Sequence, residues 1–334
     1  MVTRIAINGF GRIGRLVLRA LEESARKDLK VIAINDLGSS ESNAHLFEYD
    51  SNHGKFGKKI SFTKNAFLIG NKQIKVFSER DPSKLPWKKL DIDVLLECTG
   101  IFTKREDAQR HLTAGAKKVL ISAPASGEDL TVVFGVNHKK LKKNMRVISN
   151  ASCTTNCLAP VAHVLNNSIG INYGYMTTIH AYTGDQNVQD TLHSDLRRSR
   201  SAAQSMIPTS TGAAKAVGLV LPELKGKLDG TAIRVPTANV SLIDFKFLAK
   251  KNTSVDEINK LIKKESNSKL KGILEINDKP LVSCDFNHNS ASSIFDLTQT
   301  QVMEKRFCRV LSWYDNEWGF SNRMLDTAAA MGKL

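Results

Sequence analysis

Short apolar runs alternate with stretches of helical length along the first 150 residues of the chain. Each apolar run reads as a buried strand, and the stretch that follows it reads as a helix. Because strands that alternate with helices build a mostly parallel sheet, this pattern predicts a doubly wound α/β domain. The predicted strands cover 3–8, 31–35, 93–97, 117–122, 132–134 and 145–149, and the predicted helices cover 16–24 and 104–114.

The pattern changes after residue 170, where apolar and polar residues alternate over longer distances. Residues 171–179 alternate up to His180, and residues 231–249 read as two strands separated at Pro236. Such strands are typical of an antiparallel sheet. Another strand is predicted over 301–314, and helices are predicted over 158–165, 255–266 and 318–331.

These two patterns predict two domains, in agreement with a length of 334 residues, which is long for one hydrophobic core. Residues 1–150 are expected to form the doubly wound α/β domain, and residues 151–316 an α+β domain with a mostly antiparallel sheet. The C-terminal helix, within residues 317–334, is expected to pack back on the first domain.

A glycine-rich turn joins the first predicted strand to the first predicted helix. Gly9, Gly11 and Gly14 have the G-x-G-x-x-G spacing in the strand–turn–helix context that this motif requires. The glycines permit a tight turn, close approach of the backbone to a pyrophosphate and close packing of helix on strand. The helix N-terminus then supplies N–H donors to the phosphates. Residues 1–150 are therefore predicted to be a Rossmann-type domain that binds NAD or NADP.

Asp36, at the end of the second strand, bears on the choice between these cofactors. A carboxylate at this distance from the glycines is expected to bind a ribose 2′-hydroxyl and to repel the 2′-phosphate of NADP. NAD is therefore the predicted cofactor, while Ser39 and Ser40 leave the use of NADP open. Thr99 and Ser122 follow later strands, and their side chains are expected to point into the cofactor crevice.

The composition indicates a soluble globular protein with a large positive charge. The net charge of +15 comes from lysines spread in short clusters over the whole chain, which predicts a basic solvated surface. A field that attracts phosphorylated substrates, and a secondary nucleic-acid or surface-binding role, stay open. The five cysteines are scattered, no apolar run approaches the ~20 residues of a membrane span, and the N-terminus enters a strand directly. A reduced, cytoplasmic protein without a metal site is expected.

The segment Ser152-Cys153-Thr154 precedes an apolar run that reads as a helix. Ser152 is a candidate N-cap, and Cys153 would lie in the first turn, where helix N–H groups and the macrodipole favour negative charge. We expect this position to lower the pKa of the Cys153 thiol and to make it nucleophilic. The alternative is a buried cysteine that fills a small gap. Cys157, one turn later on the same face, is predicted to be a packing residue.

His180 is the candidate base for this thiol. It ends a predicted strand and is flanked by small and polar residues, which suits a position in a crevice. A histidine beside a thiol takes its proton and stabilises the thiolate. His163 lies on the helix of Cys153 but about 15 Å further along its axis, which is out of reach.

Five motifs together resemble the phosphorylating glyceraldehyde-3-phosphate dehydrogenase family, over essentially the whole chain. The resemblance implies NAD-dependent oxidation of D-glyceraldehyde 3-phosphate to 1,3-bisphosphoglycerate, with inorganic phosphate as second substrate. It implies that Cys153 is the nucleophile and that His180 activates it. It also implies a homotetramer in which residues 181–205 line the neighbouring subunit's cofactor site. The motifs are residues 8–15, 152–157, 210–215, 234–237 and 313–319.

The resemblance further implies ligand contacts, position by position. Erythrose-4-phosphate dehydrogenase, a similar scaffold that releases its acyl group to water, stays the alternative activity. The family binds the substrate phosphate and inorganic phosphate in two anion sites, whose matching positions are Ser152, Thr154, Thr183, Arg200, Thr211, Gly212 and Arg234. The cofactor contacts correspond to Arg12, Ile13, Asp36, Arg80, Ser122 and Asn316, the last of which fixes the nicotinamide carboxamide in the family.

Overall fold

Two compact units make up the computed structural model, which describes residues 2–334. Each unit is built around one large sheet. No helix within residues 2–334 is both long enough and apolar enough to cross a membrane. The first unit contains the chain up to Phe134, His138–Ala151 and Ser321–Leu334, and the second contains Gly135–Asn137 and Ser152–Phe320.

A nine-stranded sheet organises the first unit. In chain order, the strands of this unit are β1 (Thr3–Asn8), β2 (Leu29–Asn35), β3 (Tyr49–Asp50), β4 (Gly54–Lys55), β5 (Ile60–Thr63), β6 (Ala66–Ile69), β7 (Lys72–Phe77), β8 (Val94–Glu97), β9 (Lys118–Ile121), β10 (Leu130–Thr131) and β11 (Val147–Ser149). The sheet has the order β10-β11-β9-β8-β1-β2-β7-β6-β5, and β3 pairs separately with β4. Every neighbouring pair from β10 to β7 is parallel, whereas β6 and β5 add an antiparallel edge.

Helices α1 (Arg12–Glu23), α2 (Ser40–Glu48) and α3 (Arg105–Thr113) accompany this sheet. The parallel core confirms the predicted doubly wound α/β class. Helix α1 begins at Arg12 rather than at residue 16, so Gly14 lies inside the helix. The strand predicted over 132–134 is wrong, because the residues that pair with β11 are those of β10.

An eight-stranded sheet organises the second unit and confirms the predicted α+β class with mostly antiparallel pairing. Its helices are α4 (Cys153–Ser168), α5 (Ala213–Val220) and α6 (Val255–Ser266). Its strands are β12 (Ile171–Ala181), β13 (Ile207–Ser210), β14 (Leu228–Val235), β15 (Ser241–Ala249), β16 (Leu274–Asn277), β17 (Ser293–Asp296), β18 (Gln301–Met303) and β19 (Phe307–Tyr314). The sheet order is β13-β14-β12-β15-β19-β17-β16, with β18 on β19 and parallel pairing only within β12/β14 and β16/β17.

The single strand predicted over 301–314 is wrong, because the chain reverses inside this segment. Glu304 and Lys305 have φ angles of 46° and 56°, and they connect β18 to its antiparallel neighbour β19. Consecutive residues with positive φ form turns whose twist matches that of paired strands. The predicted interruption at Pro236 is confirmed, since β14 ends at Val235 and β15 begins at Ser241.

The chain ends in helix α7 (Trp318–Gly332), most of which belongs to the first unit. Thr327 Oγ1 donates to Asn150 Oδ1 at 2.8 Å, just beyond β11. Lys118 Nζ, in β9, donates to the carbonyl oxygen of Met331 at 2.8 Å. These bonds attach the last helix to the parallel end of the first sheet.

Candidate active site

Cys153 is the first residue of α4, in the second unit. Ser152 caps this helix, since its Oγ accepts a hydrogen bond from the backbone N–H of Thr155 at 3.0 Å, which confirms the predicted N-cap. Unpaired N–H groups and the positive end of the macrodipole therefore surround the thiol. Ala151 enters the helix with a left-handed φ of 57°, which costs a non-glycine residue about 1–2 kcal/mol. Strain of this kind is concentrated at functional sites.

Strand β12 brings His180 to the same thiol. The Nε2 atom of His180 lies 3.6 Å from Cys153 Sγ. Its Nδ1 atom lies 2.6 Å from the carbonyl oxygen of Ala181, which can only accept, so Nδ1 carries the ring proton. Nε2 therefore presents a lone pair to the thiol, which is the arrangement of a general base.

Arg234 is the third member of this cluster. The parallel register of β12 and β14 pairs Arg234 with His180, and Arg234 Nη1 lies 2.9 Å from His180 Nδ1. Both nitrogens carry protons, so the guanidinium donates instead to the carbonyl oxygen of Ala181, at 3.0 Å. Nη1 also lies 3.5 Å from Thr183 Oγ1. Within residues 2–334, the buried Nε of Arg234 has no hydrogen-bond partner, which leaves a donor for an anion.

Burial determines the charge states of this cluster. It raises the pKa of the Cys153 thiol, although the Arg234 charge and neighbouring hydrogen bonds act in the opposite direction. Burial, and then the charge of Arg234, lower the pKa of His180 to about 3. The lowered thiol pKa expected from the helix terminus is therefore wrong for this state, because removal from water has the larger effect. At neutral pH the pair consists of a thiol and a neutral imidazole.

A second helix N-terminus lies against the first. Thr155 Oγ1, in the first turn of α4, donates to the carbonyl oxygen of Ala213, the first residue of α5, at 3.3 Å. Thr211 Oγ1 accepts from the Ala213 N–H at 3.2 Å, and Gly212 is the N-cap of α5. The predicted anion ligands Ser152, Thr211 and Gly212 are thus gathered at two adjacent helix ends, which favour anions.

Two predicted anion ligands are placed differently. Thr154 is buried, and its hydroxyl is hydrogen-bonded to the Tyr314 hydroxyl at 2.8 Å, so it faces the interior of the unit. The side chain of Arg200 is 67% exposed, and its Nε donates to Asp190 at 2.8 Å. This ion pair holds the guanidinium in solvent, and the structure does not bring Arg200 to the Cys153 cluster.

Arg198 is a site residue that the sequence reasoning missed. Its Nε donates to Thr209 Oγ1 at 3.1 Å. Thr209 lies in β13, which pairs with β14, the strand that contains Arg234. Burial is the main cause of the lowered pKa values of His180 and Arg234, and the charge of Arg198 adds to both. Arg198 is therefore an electrostatic member of the cluster. Only Ser199 stands between Arg198 and Arg200 in the sequence, and neither residue type nor spacing tells the two arginines apart.

Cys157 lies deeper in α4 than Cys153. It is fully buried, and its Sγ lies 3.5 Å from Ser293 Oγ and 3.8 Å from the carbonyl oxygen of Ser312. Burial raises the pKa of this thiol to about 12. Cys157 is therefore an inert packing residue, as predicted.

The first unit contains a cleft of about 470 Å³ at the glycine turn. Gly9 has a φ of 87°, and a Cβ atom there would lie 2.7 Å from the backbone nitrogen of Thr99. A Cβ atom at Gly14 would lie 2.1 Å from the carbonyl oxygen of Gly9. Only glycine permits this close packing of turn and helix, which suits a bound pyrophosphate. The predicted cofactor residues that line the cleft are Gly9, Gly11, Asp36, Arg80 and Thr99.

Asp36 is held rigidly in this cleft. Its Oδ2 accepts from the Phe10 N–H at 2.7 Å, and its Oδ1 accepts from the Gly38 N–H at 2.8 Å and from Asn43 Nδ2 at 3.1 Å. A carboxylate offers about four lone-pair sites, so one acceptor site is still available for a ribose hydroxyl. The fixed negative charge also fits a cofactor without a 2′-phosphate.

Three other predicted cofactor residues lie around this region of the first unit. Arg12 starts α1, and its guanidinium is paired with Asp50 at 2.6 Å, so the side chain is directed to Asp50 rather than to a phosphate. Ile13 is half-buried in the first turn. Ser122 follows β9 and hydrogen-bonds to the thiol of Cys98.

Asn316, the remaining predicted cofactor residue, belongs to the second unit. Its Oδ1 accepts from Ser241 Oγ at 2.9 Å, and that hydroxyl oxygen accepts from the Ala181 N–H at 3.0 Å. The amide orientation is thereby fixed, with the nitrogen as the remaining donor. Asn316 is thus tied to the residue that follows His180.

Comparison with known proteins gives one consistent result. Residues 3–105 match the family domain described as glyceraldehyde 3-phosphate dehydrogenase, NAD binding domain, and residues 152–316 match the C-terminal domain of the same family. The chain is 65% identical to the glyceraldehyde-3-phosphate dehydrogenase of Xanthobacter flavus and 59% identical to that of Cereibacter sphaeroides, over the full length of all three chains. It is 53% identical to glyceraldehyde-3-phosphate dehydrogenase 1 of Bacillus subtilis, over all of this chain and 99% of that one. The chain therefore belongs to the glyceraldehyde-3-phosphate dehydrogenase family.

Proposed function

We propose that this chain catalyses the phosphorylating, NAD-dependent oxidation of D-glyceraldehyde 3-phosphate to 1,3-bisphosphoglycerate. The observation that carries the proposal is the 3.6 Å approach of Cys153 Sγ to His180 Nε2, beside the guanidinium of Arg234. A nucleophile, its base and a cation for a phosphate group are thereby joined in one unit. The matched NAD-binding domain and the names of the relatives support the cofactor and the substrate.

The proposed reaction begins at the aldehyde carbon. Cys153 Sγ attacks this carbon while His180 Nε2 takes the thiol proton, and the proton then passes to the new oxyanion to give a hemithioacetal. His180 next accepts the hydroxyl proton as the carbon loses its hydride, which leaves a thioester on Cys153. The acceptor for that hydride would be supplied by a bound NAD. Phosphate attacks the thioester carbonyl, the carbon–sulfur bond breaks, and the protonated His180 returns its proton to the sulfur.

Sulfur suits this sequence better than oxygen would. A thioester keeps more acyl-transfer energy than an oxygen ester, so inorganic phosphate can accept the acyl group. The neutral state of His180 serves both proton abstractions, because burial and Arg234 lower its pKa to about 3. The imidazolium formed in each step is short-lived beside the Arg234 cation, which favours return of the proton.

Two anions have to be held near the thiol: the substrate phosphate and the attacking phosphate. We assign this role to the N-termini of α4 and α5, to the hydroxyls of Ser152, Thr183 and Thr211, and to Arg234. As the second cation we propose Arg198 in place of Arg200. A guanidinium binds a phosphate through two parallel charge-assisted hydrogen bonds, which suits this task.

Exchanging the two candidate arginines for leucine separates their roles. We expect Arg198→Leu to lower kcat/KM for glyceraldehyde 3-phosphate or inorganic phosphate by about 10–10² fold, the scale of a lost hydrogen bond to a charged group. The matched variant Arg200→Leu is expected to keep kcat/KM within about threefold of the wild type, because an exposed ion pair contributes little. Steady-state kinetics with each substrate varied in turn, together with a thermal melt of each variant, make the comparison. A larger loss of kcat/KM in Arg200→Leu than in Arg198→Leu would assign the second phosphate-binding cation to Arg200 instead.

The cofactor is proposed to bind in the cleft of the first unit. Gly9, Gly11 and the start of α1 would hold the pyrophosphate, and Asp36 would hold the adenosine ribose. The anchored carboxylate supports NAD over NADP, although Ser39 and Ser40 still leave NADP open. Asn316, with its amide nitrogen as the remaining donor, is proposed to bind the nicotinamide carboxamide.

We also propose that the chain acts as a cytoplasmic homotetramer. Apolar side chains of the segment 181–205 support an assembly, because Val188, Leu192 and Leu196 are 70%, 97% and 82% exposed. Several highly exposed apolar side chains within one short segment favour an interaction surface. In the proposed tetramer this segment lines the neighbouring subunit's cofactor site. A secondary nucleic-acid or surface-binding role from the +15 charge stays a prediction.

A matrix of steady-state assays tests the proposed function. NADH formation is measured with glyceraldehyde 3-phosphate and with erythrose 4-phosphate, each with and without inorganic phosphate, and then with NADP in place of NAD. We expect turnover that requires phosphate and prefers the triose and NAD. Turnover without phosphate, with erythrose 4-phosphate as the better substrate, would support the alternative dehydrogenase and reject the acyl-phosphate mechanism.

A further inference from the structure

A series of buried polar side chains lies next to the cofactor cleft of the first unit. Asn8, Glu97, His111 and Trp87 are 2%, 1%, 0% and 0% exposed. Asn8 ends β1, Glu97 ends β8, His111 lies in α3, and Trp87 lies between β7 and β8. Neither the proposed mechanism nor any cofactor assignment above uses Glu97, His111 or Trp87.

The protonation of His111 follows from its neighbours. Trp87 Nε1 lies 3.1 Å from His111 Nδ1, and an indole N–H can only donate, so Nδ1 accepts and carries no proton. The neutral ring therefore has its proton on Nε2, which lies 3.0 Å from Glu97 Oε2 and donates to it. Protonation of Nδ1 would direct two N–H groups at each other in a fully buried site. Trp87 thus fixes both the tautomer and the plane of the imidazole.

Glu97 is fully engaged by neutral donors. Its Oε2 accepts from His111 Nε2 and from Asn8 Nδ2, at 3.0 and 2.7 Å. Its Oε1 accepts from the backbone N–H of Thr99 at 2.8 Å and from the Thr99 hydroxyl. The Asn8 amide is oriented for this bond, because its Oδ1 accepts from Asn35 Nδ2 at 2.7 Å. Each carboxylate oxygen therefore accepts two hydrogen bonds, which fixes its position from both sides.

Two hydrogen-bond partners of Glu97, Asn8 and Thr99, line the cofactor cleft. Thr99 lines it, and its backbone lies so close to Gly9 that a Cβ on Gly9 would be 2.7 Å from the Thr99 nitrogen. Asn8 directly precedes Gly9 and also lines the cleft. Glu97 therefore sets the distance between the glycine turn and the loop after β8. A rotation of its carboxylate would displace both walls.

We propose that His111 is a positioning residue for NAD binding: held by Trp87 as the Nε2–H tautomer, it orients Glu97, which fixes Thr99 and the Gly9 turn. His111 and Trp87 act from outside the cleft and touch no ligand. The proposal rests on the proposed function only in taking NAD as the ligand of this cleft. It assigns to α3 a role in cofactor affinity.

Direct NAD titration of four variants tests this role, with intrinsic fluorescence or calorimetry as the readout and no substrate present. We expect His111→Leu to raise the Kd for NAD by about tenfold or more, the scale of losing a hydrogen bond to a charged group. His111→Gln keeps an amide donor for Glu97, so its Kd for NAD is expected to stay within about threefold of the wild type. Trp87→Phe removes the indole N–H that orients His111, so its Kd for NAD should lie between those of the two His111 variants. In all variants kcat at saturating NAD should stay within about twofold of the wild type.

Leu112→Ala is the matched control, because Leu112 follows His111 in α3 and is buried in the same hydrophobic cluster as Trp87. It is expected to lower thermal stability without changing the Kd for NAD. Equal Kd values in His111→Leu and Leu112→Ala, at equal loss of stability, would overturn the proposal. If His111→Leu fails to fold, Trp87→Phe and His111→Gln still give the comparison.

Nitrogen NMR of the histidine rings tests the tautomer in the wild-type chain. We expect one ring with a protonated Nε2 and an unprotonated Nδ1. Assignment by His111→Gln should remove this signal. A Nδ1–H tautomer or an imidazolium at His111 would overturn the proposal. A wild-type chain that binds NAD but shows no turnover would instead argue against the proposed function and leave this inference standing.

Discussion

Replacing Cys153 by serine is expected to lower kcat by about 10⁴-fold or more, the scale on which loss of a catalytic nucleophile acts. The serine hydroxyl is a far weaker acid and nucleophile than the thiol, and His180 would have to remove a proton of much higher pKa. The N-cap from Ser152 and the His180–Arg234 contacts do not involve the sulfur, so the variant should fold normally. NADH formation with saturating substrates, and NAD affinity measured separately, check both parts of the expectation.

Cys284→Ser is the matched control for this variant. Cys284 is exposed in the second unit and lies outside the proposed site, so its replacement should leave kcat within about twofold. Activity of Cys153→Ser within tenfold of the wild type would remove Cys153 as the nucleophile. Comparable losses in both variants would indicate a general effect of cysteine replacement rather than a catalytic one.

Replacing His180 by asparagine is expected to lower kcat by about 10²–10⁴ fold, the usual contribution of a general base. An amide cannot take the thiol proton, and the buried thiol of Cys153 has a raised pKa and needs that acceptor. The loss should be smaller than in Cys153→Ser, because hydroxide and substrate oxygens can still remove some protons. A rise of the remaining activity with pH would show solvent base replacing the imidazole.

His163→Asn supplies the control for the second variant. His163 lies in α4 with Cys153, and its ring contacts Asn167 at 3.3 Å, away from the proposed base. Its replacement is expected to leave kcat within about twofold. Retention of more than half of kcat in His180→Asn would reject His180 as the base, whatever the control shows.

The features that were predictable from the sequence depend on short-range rules. The Ser152 cap, the glycine turn between β1 and α1, and the strand interruption at Pro236 each follow from conformational limits of a few adjacent residues. Alternation of strands and helices then identified the parallel class of the first sheet. Such rules fix element type, but helix α1 begins earlier than predicted, because residues up to Arg15 read as part of the glycine turn.

The features that were not predictable depend on long-range placement. Arg198 and Arg200 lie in one loop, and only the fold shows that one bonds Thr209 while the other pairs with Asp190. The hydroxyl of Thr154 faces Tyr314, a partner 160 positions away in the chain. No local pattern contains this information, because both contacts are set by how β13 and β19 pack.

Burial explains the remaining differences between the sequence predictions and the structure. A helix N-terminus favours a thiolate, yet removal of Cys153 from water raises its pKa, and the sequence does not reveal how far the site is closed. The same holds for His111, which reads as an ordinary helix residue but lies fully buried between Trp87 and Glu97. Degree of burial is a property of the packed unit rather than of a segment.

Mass spectrometry of the acyl-enzyme tests the central claim most directly. The chain is mixed with NAD and glyceraldehyde 3-phosphate in the absence of inorganic phosphate, quenched in acid and digested. We expect a 3-phosphoglyceroyl thioester on Cys153, located by fragmentation of the peptide that also contains Cys157, with about one NADH formed per chain, and its loss on addition of phosphate. NADH formation without any adduct on Cys153, or an adduct confined to Cys157 or Cys284, would contradict the account.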